Sequence, residues 1–146
     1  FGERILGKPA DATEAREMLQ TLRDQTHQVY TAIAILRPED ELLWAEAAQS
    51  NVYMRAYTPE EMEAYIASGD PFDKAGAYAI QHRQFHPVEN FVECYANVMG
   101  LPLCHLVRAL RAFGLRPSAD VPRACQAALH YSCPVYAAIL GQPLER

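Results

Sequence analysis

His27-Gln28-Val29-Tyr30-Thr31-Ala32-Ile33-Ala34-Ile35-Leu36 is the stretch whose reading settles the fold class. It is rich in β-branched and aromatic residues and carries apolar side chains at both parities. That pattern predicts a central strand covered on both faces. Pro38-Glu39-Asp40 follows as a turn signal. Extended sequence then resumes from about Leu42 to Tyr57. Its end alternates Val52, Met54 and Ala56 against Tyr53, Arg55 and Tyr57. The two runs read together as a hairpin from Val29 to Tyr57.

Helices are signalled on either side of this hairpin. Upstream, Asp11 and Glu14 form a capping-box pattern, and Ala15, Met18, Leu19 and Leu22 share one helical face. Downstream, Thr58-Pro59-Glu60-Glu61 opens a second helix with Met62, Tyr65 and Ile66 inward, stopping near Gly69. Phe85 to Tyr95 reads as a further strand anchored by Val88, Phe91 and Val92. Pro102 opens a helix with Leu103, Leu106, Val107, Leu110 and Phe113 inward, ended by Gly114. Residues 121–146 are apolar enough to pack as a helix and a further short element. The expected fold is therefore α/β, with a mixed sheet flanked by helices.

The chain has 146 residues, half of them hydrophobic and 21% charged, which suits a packed core rather than disorder. Its net charge of −5 argues against broad binding to polymeric nucleic acid or anionic lipid, both of which need a basic surface. No apolar run is long enough to predict a transmembrane helix. Phe1-Gly2-Glu3-Arg4 lacks the apolar core of a signal peptide, and the absence of an initial Met fits a processed, tagged or truncated product. Cys94, Cys104, Cys125 and Cys133 form no C-x-x-C pair and read as reduced, buried thiols of a cytoplasmic protein.

Two clusters can carry chemistry. Ile5-Leu6-Gly7-Lys8-Pro9 lets backbone approach an anion and aims one ammonium at it, although the spacing of a Walker loop is absent. Asp73-Lys74-Ala75-Gly76-Ala77-Tyr78-Ala79-Ile80-Gln81 packs a carboxylate, an ammonium and a side-chain amide into nine positions. Asp73 can hold water or a divalent cation, Lys74 can neutralise phosphate oxygens, and Gln81 can bond a nucleobase edge or a reacting water. The bland alternatives are a surface turn for the first cluster, and a capping Asp beside a solvated Lys for the second. In the tail, Cys125, His130 and Cys133 are spaced C-x4-H-x2-C, a possible zinc set if Cys104 or His105 supplied a fourth ligand; buried thiols are the alternative.

These strings occur in a telling order. Ile5-Leu6-Gly7-Lys8-Pro9 precedes His27-x-Val29-x-Thr31, then Asp73-Lys74-Ala75-Gly76-Ala77-Tyr78-x-Ile80-Gln81, then Asn97-Val98-Met99-Gly100-Leu101-Pro102-Leu103. In order and spacing, residues 1–114 resemble the Maf family. The resemblance implies a fold akin to the inosine triphosphate pyrophosphatases. It also implies hydrolysis of a nucleoside triphosphate to the monophosphate and pyrophosphate with a divalent metal, magnesium or manganese. The Lys-Ala-Gly-x-Tyr-x-Ile-Gln variant looks like the branch acting on dTTP and UTP. By resemblance Lys8 and Gln81 belong to the active site as substrate-binding and catalytic residues, and Asp73 (catalytic) and Lys74 (substrate-binding) match the same motif.

The family's opening Ser-x-Ser-x-Arg-Arg loop and its Gly-Ala-Asp-Thr strand have no counterpart here. The expected fold is thus N-terminally incomplete: a Maf-like domain over residues 1–114 and an apolar extension over 115–146 that packs on it. Without those cationic contacts a non-catalytic relative, binding nucleotide or a protein partner in cell-division regulation, is the alternative function. Family members are commonly dimers, so a homodimer is expected. His27 is read as contacting substrate or bonding backbone, Tyr78 as packing, and Asn97 as a cap near the Leu103 helix.

Overall fold

The computed structural model describes residues 1–142. Its elements are α1 (Ala12–Leu22), β1 (Thr26–Arg37), β2 (Leu42–Tyr53), α2 (Pro59–Ala67), α3 (Tyr95–Val98), α4 (Leu103–Ala112), α5 (Val121–Leu129) and α6 (Tyr136–Gly141). Single 3-10 turns occupy Asp70–Asp73 and Ala75–Ala77. Helices and strands are mixed as the α/β reading requires, and the described sheet is the β1–β2 pair. None of the described helices is long and apolar enough to cross a membrane.

The local signals worked where capping chemistry is local. Asp11 accepts hydrogen bonds from the backbone N–H groups of Thr13 and Glu14 at 2.8 and 2.9 Å. Glu14 accepts from Ala10 N–H at 2.7 Å, one residue further back than a capping box requires. Thr58 and Glu61 do form the reciprocal box. Each such cap is worth about 1 kcal/mol.

The chain divides into two compact units. The first comprises residues 1–28 and 51–91, the second residues 29–50 and 92–146. The first is cored by α1 and α2 around three buried tyrosines. Tyr57 donates its hydroxyl to the Leu19 carbonyl at 2.5 Å. Tyr65 donates to Asp70 at 2.6 Å and accepts from Ala79 N–H at 3.0 Å. Tyr65 also stacks on Phe85, with centroids 4.2 Å apart. Arg55 donates to both Glu61 oxygens and to the carbonyls of Phe85 and His86, fixing the chain around Pro87.

The second unit packs Cys94, Ala96, Cys104 and Ile139 together, with Cys125, Leu129, Val135 and Leu140 around them. Asn97 is fully buried here. Its amide donates to Val29 O at 3.3 Å and Ser50 Oγ at 2.9 Å, and Thr31 donates to the Asn97 carbonyl at 2.9 Å. Asn97 is therefore a clamp on the hairpin, not the predicted cap. Arg108 grips both oxygens of Glu46, with each side chain only about a tenth exposed.

Three expectations are corrected. β1 is not covered on both faces. His27 and Ile33 are buried at one parity, while Tyr30 and Leu36 are 61% and 60% exposed at the other; pairing with β2 covers an edge of β1 and not this face. The strand expected between Phe85 and Tyr95 reduces to one antiparallel bridge, Val88 with Met54. Left-handed backbone at His86 and Asn90, and Pro87 with no N–H, interrupt it. On α4 the buried residues are Cys104, Val107 and Ala109, whereas Leu103, Leu106 and Leu110 are only partly covered.

Candidate functional site

The two clusters singled out in the sequence meet in the first unit. Gly76 donates its N–H to the Gly7 carbonyl at 2.9 Å, tying the Gly7-Lys8-Pro9 turn to the Asp73–Gln81 segment across 69 positions of sequence. Gly76 has φ of 70°, where only glycine is unstrained, and a Cβ there would stand 3.5 Å from Leu22 Cδ1. Ala77 follows, also left-handed at φ 60° and fully buried. A non-glycine residue held in that region stores strain that the surrounding packing must hold.

The side chains divide by exposure. Lys8 is exposed and lies close enough to Asp73 for its charge to favour that carboxylate. Lys74 contacts Asp73 directly and stands 3.8 Å from Asp70. The Lys74 hydrogen bond, more than any other influence, holds the Asp73 carboxyl below the usual carboxylate range. Gln81 is exposed and makes no hydrogen bond among the described residues. One cation, two acids and an uncommitted amide thus border a strained backbone turn, with a second cation at its edge. A groove of about 420 Å³ in the same unit is lined by Arg4, Leu6, Glu14, Met18 and neighbours, and by none of these four residues.

Behind the turn, His27 Nε2 is hydrogen-bonded to the Tyr78 hydroxyl at 2.9 Å, with the rings edge to face. Burial lowers the His27 pKa to about 4, so the ring is neutral at physiological pH. Its other nitrogen is buried without a partner. His27 is buried, with only 7% of its surface exposed. It is a packing residue that fixes Tyr78, and Tyr78 in turn anchors the segment leading to Gln81.

The backbone tie between these two motifs accords with a sequence match: residues 2–113 match the family described as Maf-like protein. The chain belongs to the Maf family. The dTTP/UTP pyrophosphatase of Dehalococcoides mccartyi (strain ATCC BAA-2266 / KCTC 15142 / 195) is 44% identical over 113 residues, covering 77% of this chain and 50% of that protein. That of Bacillus cereus (strain ATCC 14579) is 44% identical over 115 residues, 79% of this chain and 59% of its own length. That of Thermomicrobium roseum is 42% identical over 130 residues, 86% of this chain and 59% of its own. The chain spans about half the length of the curated relatives it matches. The Maf match stops before Cys125 and Cys133, so the second unit's thiol-bearing tail lies beyond it.

The zinc set suggested by Cys125, His130 and Cys133 does not form. His130 is the exposed, left-handed residue closing α5, and no three His, Cys, Asp or Glu residues among those described are placed to hold one ion.

Proposed function

We propose that this chain supplies part of the nucleotide site of a nucleoside triphosphate pyrophosphatase acting on dTTP or UTP. The observation that carries the reading is the Gly76–Gly7 hydrogen bond, which puts the Lys8 turn and the Asp73–Gln81 segment in one place. The names of the Maf relatives support the substrate.

In this reading Lys8, exposed and in no ion pair among the described residues, binds triphosphate oxygens, because a compact ammonium is a strong point charge. Lys74 exchanges its Asp73 and Asp70 contacts for phosphate. Gln81 orients the base or the attacking water through its uncommitted amide. The bond between the α and β phosphates breaks, water adds to phosphorus, and pyrophosphate leaves. Asp73, released from Lys74 in the same exchange, accepts the water's proton.

A divalent cation, magnesium or manganese, fits here only as a partly hydrated ion, since the described residues form no cage for it. The exposed Asp73 carboxylate would give it one oxygen, and the triphosphate others. When bound, such an ion neutralises charge on the phosphates. The same reading places the protein in the cytoplasm, consistent with four unpaired thiols. It also places the β1–β2 pair in a larger mixed sheet flanked by helices, and the protein in a homodimer, a state that light scattering checks.

Pyrophosphate release from dTTP and UTP by the protein carrying this chain tests the reading. Lys8→Ala is expected to lower kcat/KM by about 10²–10³-fold, the usual effect of removing one donor to transition-state charge. No release, or release unchanged by Lys8→Ala, overturns it. The second reading, nucleotide binding without turnover, is favoured by the two carboxylates that occupy Lys74. Calorimetry that shows UTP binding with no pyrophosphate formed would establish it.

A further inference from the structure

All four cysteines of the chain converge on one small cavity in the second unit. Cys94, Cys104, Cys125 and Cys133 line it together with Tyr131 and Gln126 among others, and no charged side chain does. The cavity volume is about 10 Å³, room for one water-sized body. Two of the thiols come from residues within the Maf match and two from the tail beyond it. Sequence spacing groups Cys125 and Cys133 with His130, and with Cys104 or His105 as a fourth member; the fold sets Cys94 and Cys104 beside the two tail cysteines instead.

Cys94 stands at the start of α3, on one wall of the cavity. Gln126 fixes the opposite wall: its carbonyl accepts from Cys133 N–H at 3.0 Å, and its amide donates to Pro122 O at 3.2 Å. As folded, the protonated sulfurs are not yet in ligating positions. Each cysteine has a single side-chain torsion, the freedom its sulfur would use to reach the shared cavity.

We propose that Cys94, Cys104, Cys125 and Cys133 form a tetrathiolate site for one soft, tetrahedral metal ion, of which zinc is the type. Soft thiolates select zinc and its like over magnesium or manganese, so this site does not compete for the cation of the phosphate chemistry. A water-sized cavity suits a single ion and excludes a four-iron cube. On binding, each of the four thiols releases its proton to solvent and keeps the electron pair for the metal–sulfur bond. The ion then joins α3, α4, α5 and the segment before α6, adding to the packing of Cys125, Leu129, Val135 and Leu140 that already holds the tail.

The test uses the reduced chain stripped with a chelator and then titrated with cobalt(II) as a spectroscopic probe and with zinc. One ion per chain is expected. Cobalt should give the intense sulfur-to-metal charge-transfer band and visible bands of a tetrahedral thiolate site, all bleached by one equivalent of zinc. One equivalent of zinc should also protect all four thiols from a disulfide reagent, and Cys125→Ser with Cys133→Ser should abolish both effects. If that double variant fails to fold, the unmodified chain still decides. Weak octahedral cobalt spectra, or four thiols equally reactive with and without zinc, overturn the proposal. Stoichiometric zinc that survives the double replacement in a folded protein overturns it equally.

Discussion

The two units solve the burial of polar groups in opposite ways. The first buries large rings and gives most of their polar ends a partner: Tyr57 to Leu19 O, Tyr65 between Asp70 and Ala79, Tyr78 to His27. The second is cored mainly by small and sulfur-bearing residues, and takes in the Asn97–Ser50 hydrogen bond and the Arg108–Glu46 ion pair. A hydrogen-bonded ring specifies one arrangement of the backbone it touches, because leaving its hydroxyl or its partner unpaired costs about 1–3 kcal/mol. A thiol core is permissive, since sulfur packs without demanding a donor. The strained Gly76-Ala77 turn accordingly stands in the unit that can hold it. The unit with room among its cysteines is the one where the family pattern ends.

The largest effect that would break this contrast lies in the ion pair of the second unit. Glu46→Ala leaves the Arg108 guanidinium nearly buried with only Ile139 O and Gln142 to receive it. Stranding a buried charge costs about 3–5 kcal/mol. Urea denaturation should show the midpoint fall accordingly. Adding Arg108→Met should restore most of the loss, because an apolar pair of similar volume is often neutral. A single replacement as mild as an exposed one would mean that the pair is not buried in solution.

The pH dependence sharpens the other side of the comparison. Burial lowers the His27 pKa to about 4 from an ordinary 6.5. Between these values the unfolded chain binds the proton more readily than the folded one, so stability rises with pH across the window. It is fully present above about pH 6.5 and is lost as the pH falls toward 4. The whole loss is on the order of 3 kcal/mol, since each pH unit between the two values contributes about 1.36 kcal/mol. His27→Phe should flatten the curve in that window. Glu61, brought down from 4.5 to about 2 chiefly by Arg55, begins to lose its contribution as the pH falls below about 4.5, so the His27 slope is read above that value.

How much of this was legible in the sequence follows from the range of each interaction. Asp11 and Thr58 announced α1 and α2 because caps act within three residues. The hairpin was legible from its two extended runs and the turn signal between them. The uncovered face of Tyr30 and Leu36 was not, because apolar composition states what a face can bury and not what is there to bury it. Likewise α4 presents Cys104 and Ala109 inward in place of three leucines, a choice made by α5 and α6 and invisible in the periodicity of α4 itself. For the site, the residue types of Lys8, Asp73, Lys74 and Gln81 could be read, and their family order could be recognised. That Gly76 bonds Gly7 is a long-range fact that no local pattern encodes, whereas Lys74 is occupied by acids only one and four positions away. The cysteines read as buried thiols or, for the tail pair with His130, as a possible zinc set; the fold brings all four to one cavity and leaves His130 outside it.

The smallest effect marks where the contrast between the units should vanish. Arg16 donates to both oxygens of Glu63, joining α1 to α2, yet the two side chains are 36% and 47% exposed. Geometry alone would rank this pair with Arg108–Glu46, since both are two-bond contacts between elements. Exposure separates them. Water solvates either partner when the other is removed, salt screens the attraction, and two long side chains lose freedom to meet. Glu63→Ala should therefore cost far less than Glu46→Ala, and less again as salt is raised toward 1 M, where the screening length is about 3 Å. A double-mutant cycle over Arg16 and Glu63, run beside one over Arg108 and Glu46, measures the two couplings on one scale. Equal couplings would show that contact geometry, not burial, sets the value of an ion pair in this fold; a several-fold larger coupling for Arg108–Glu46 is the expected result.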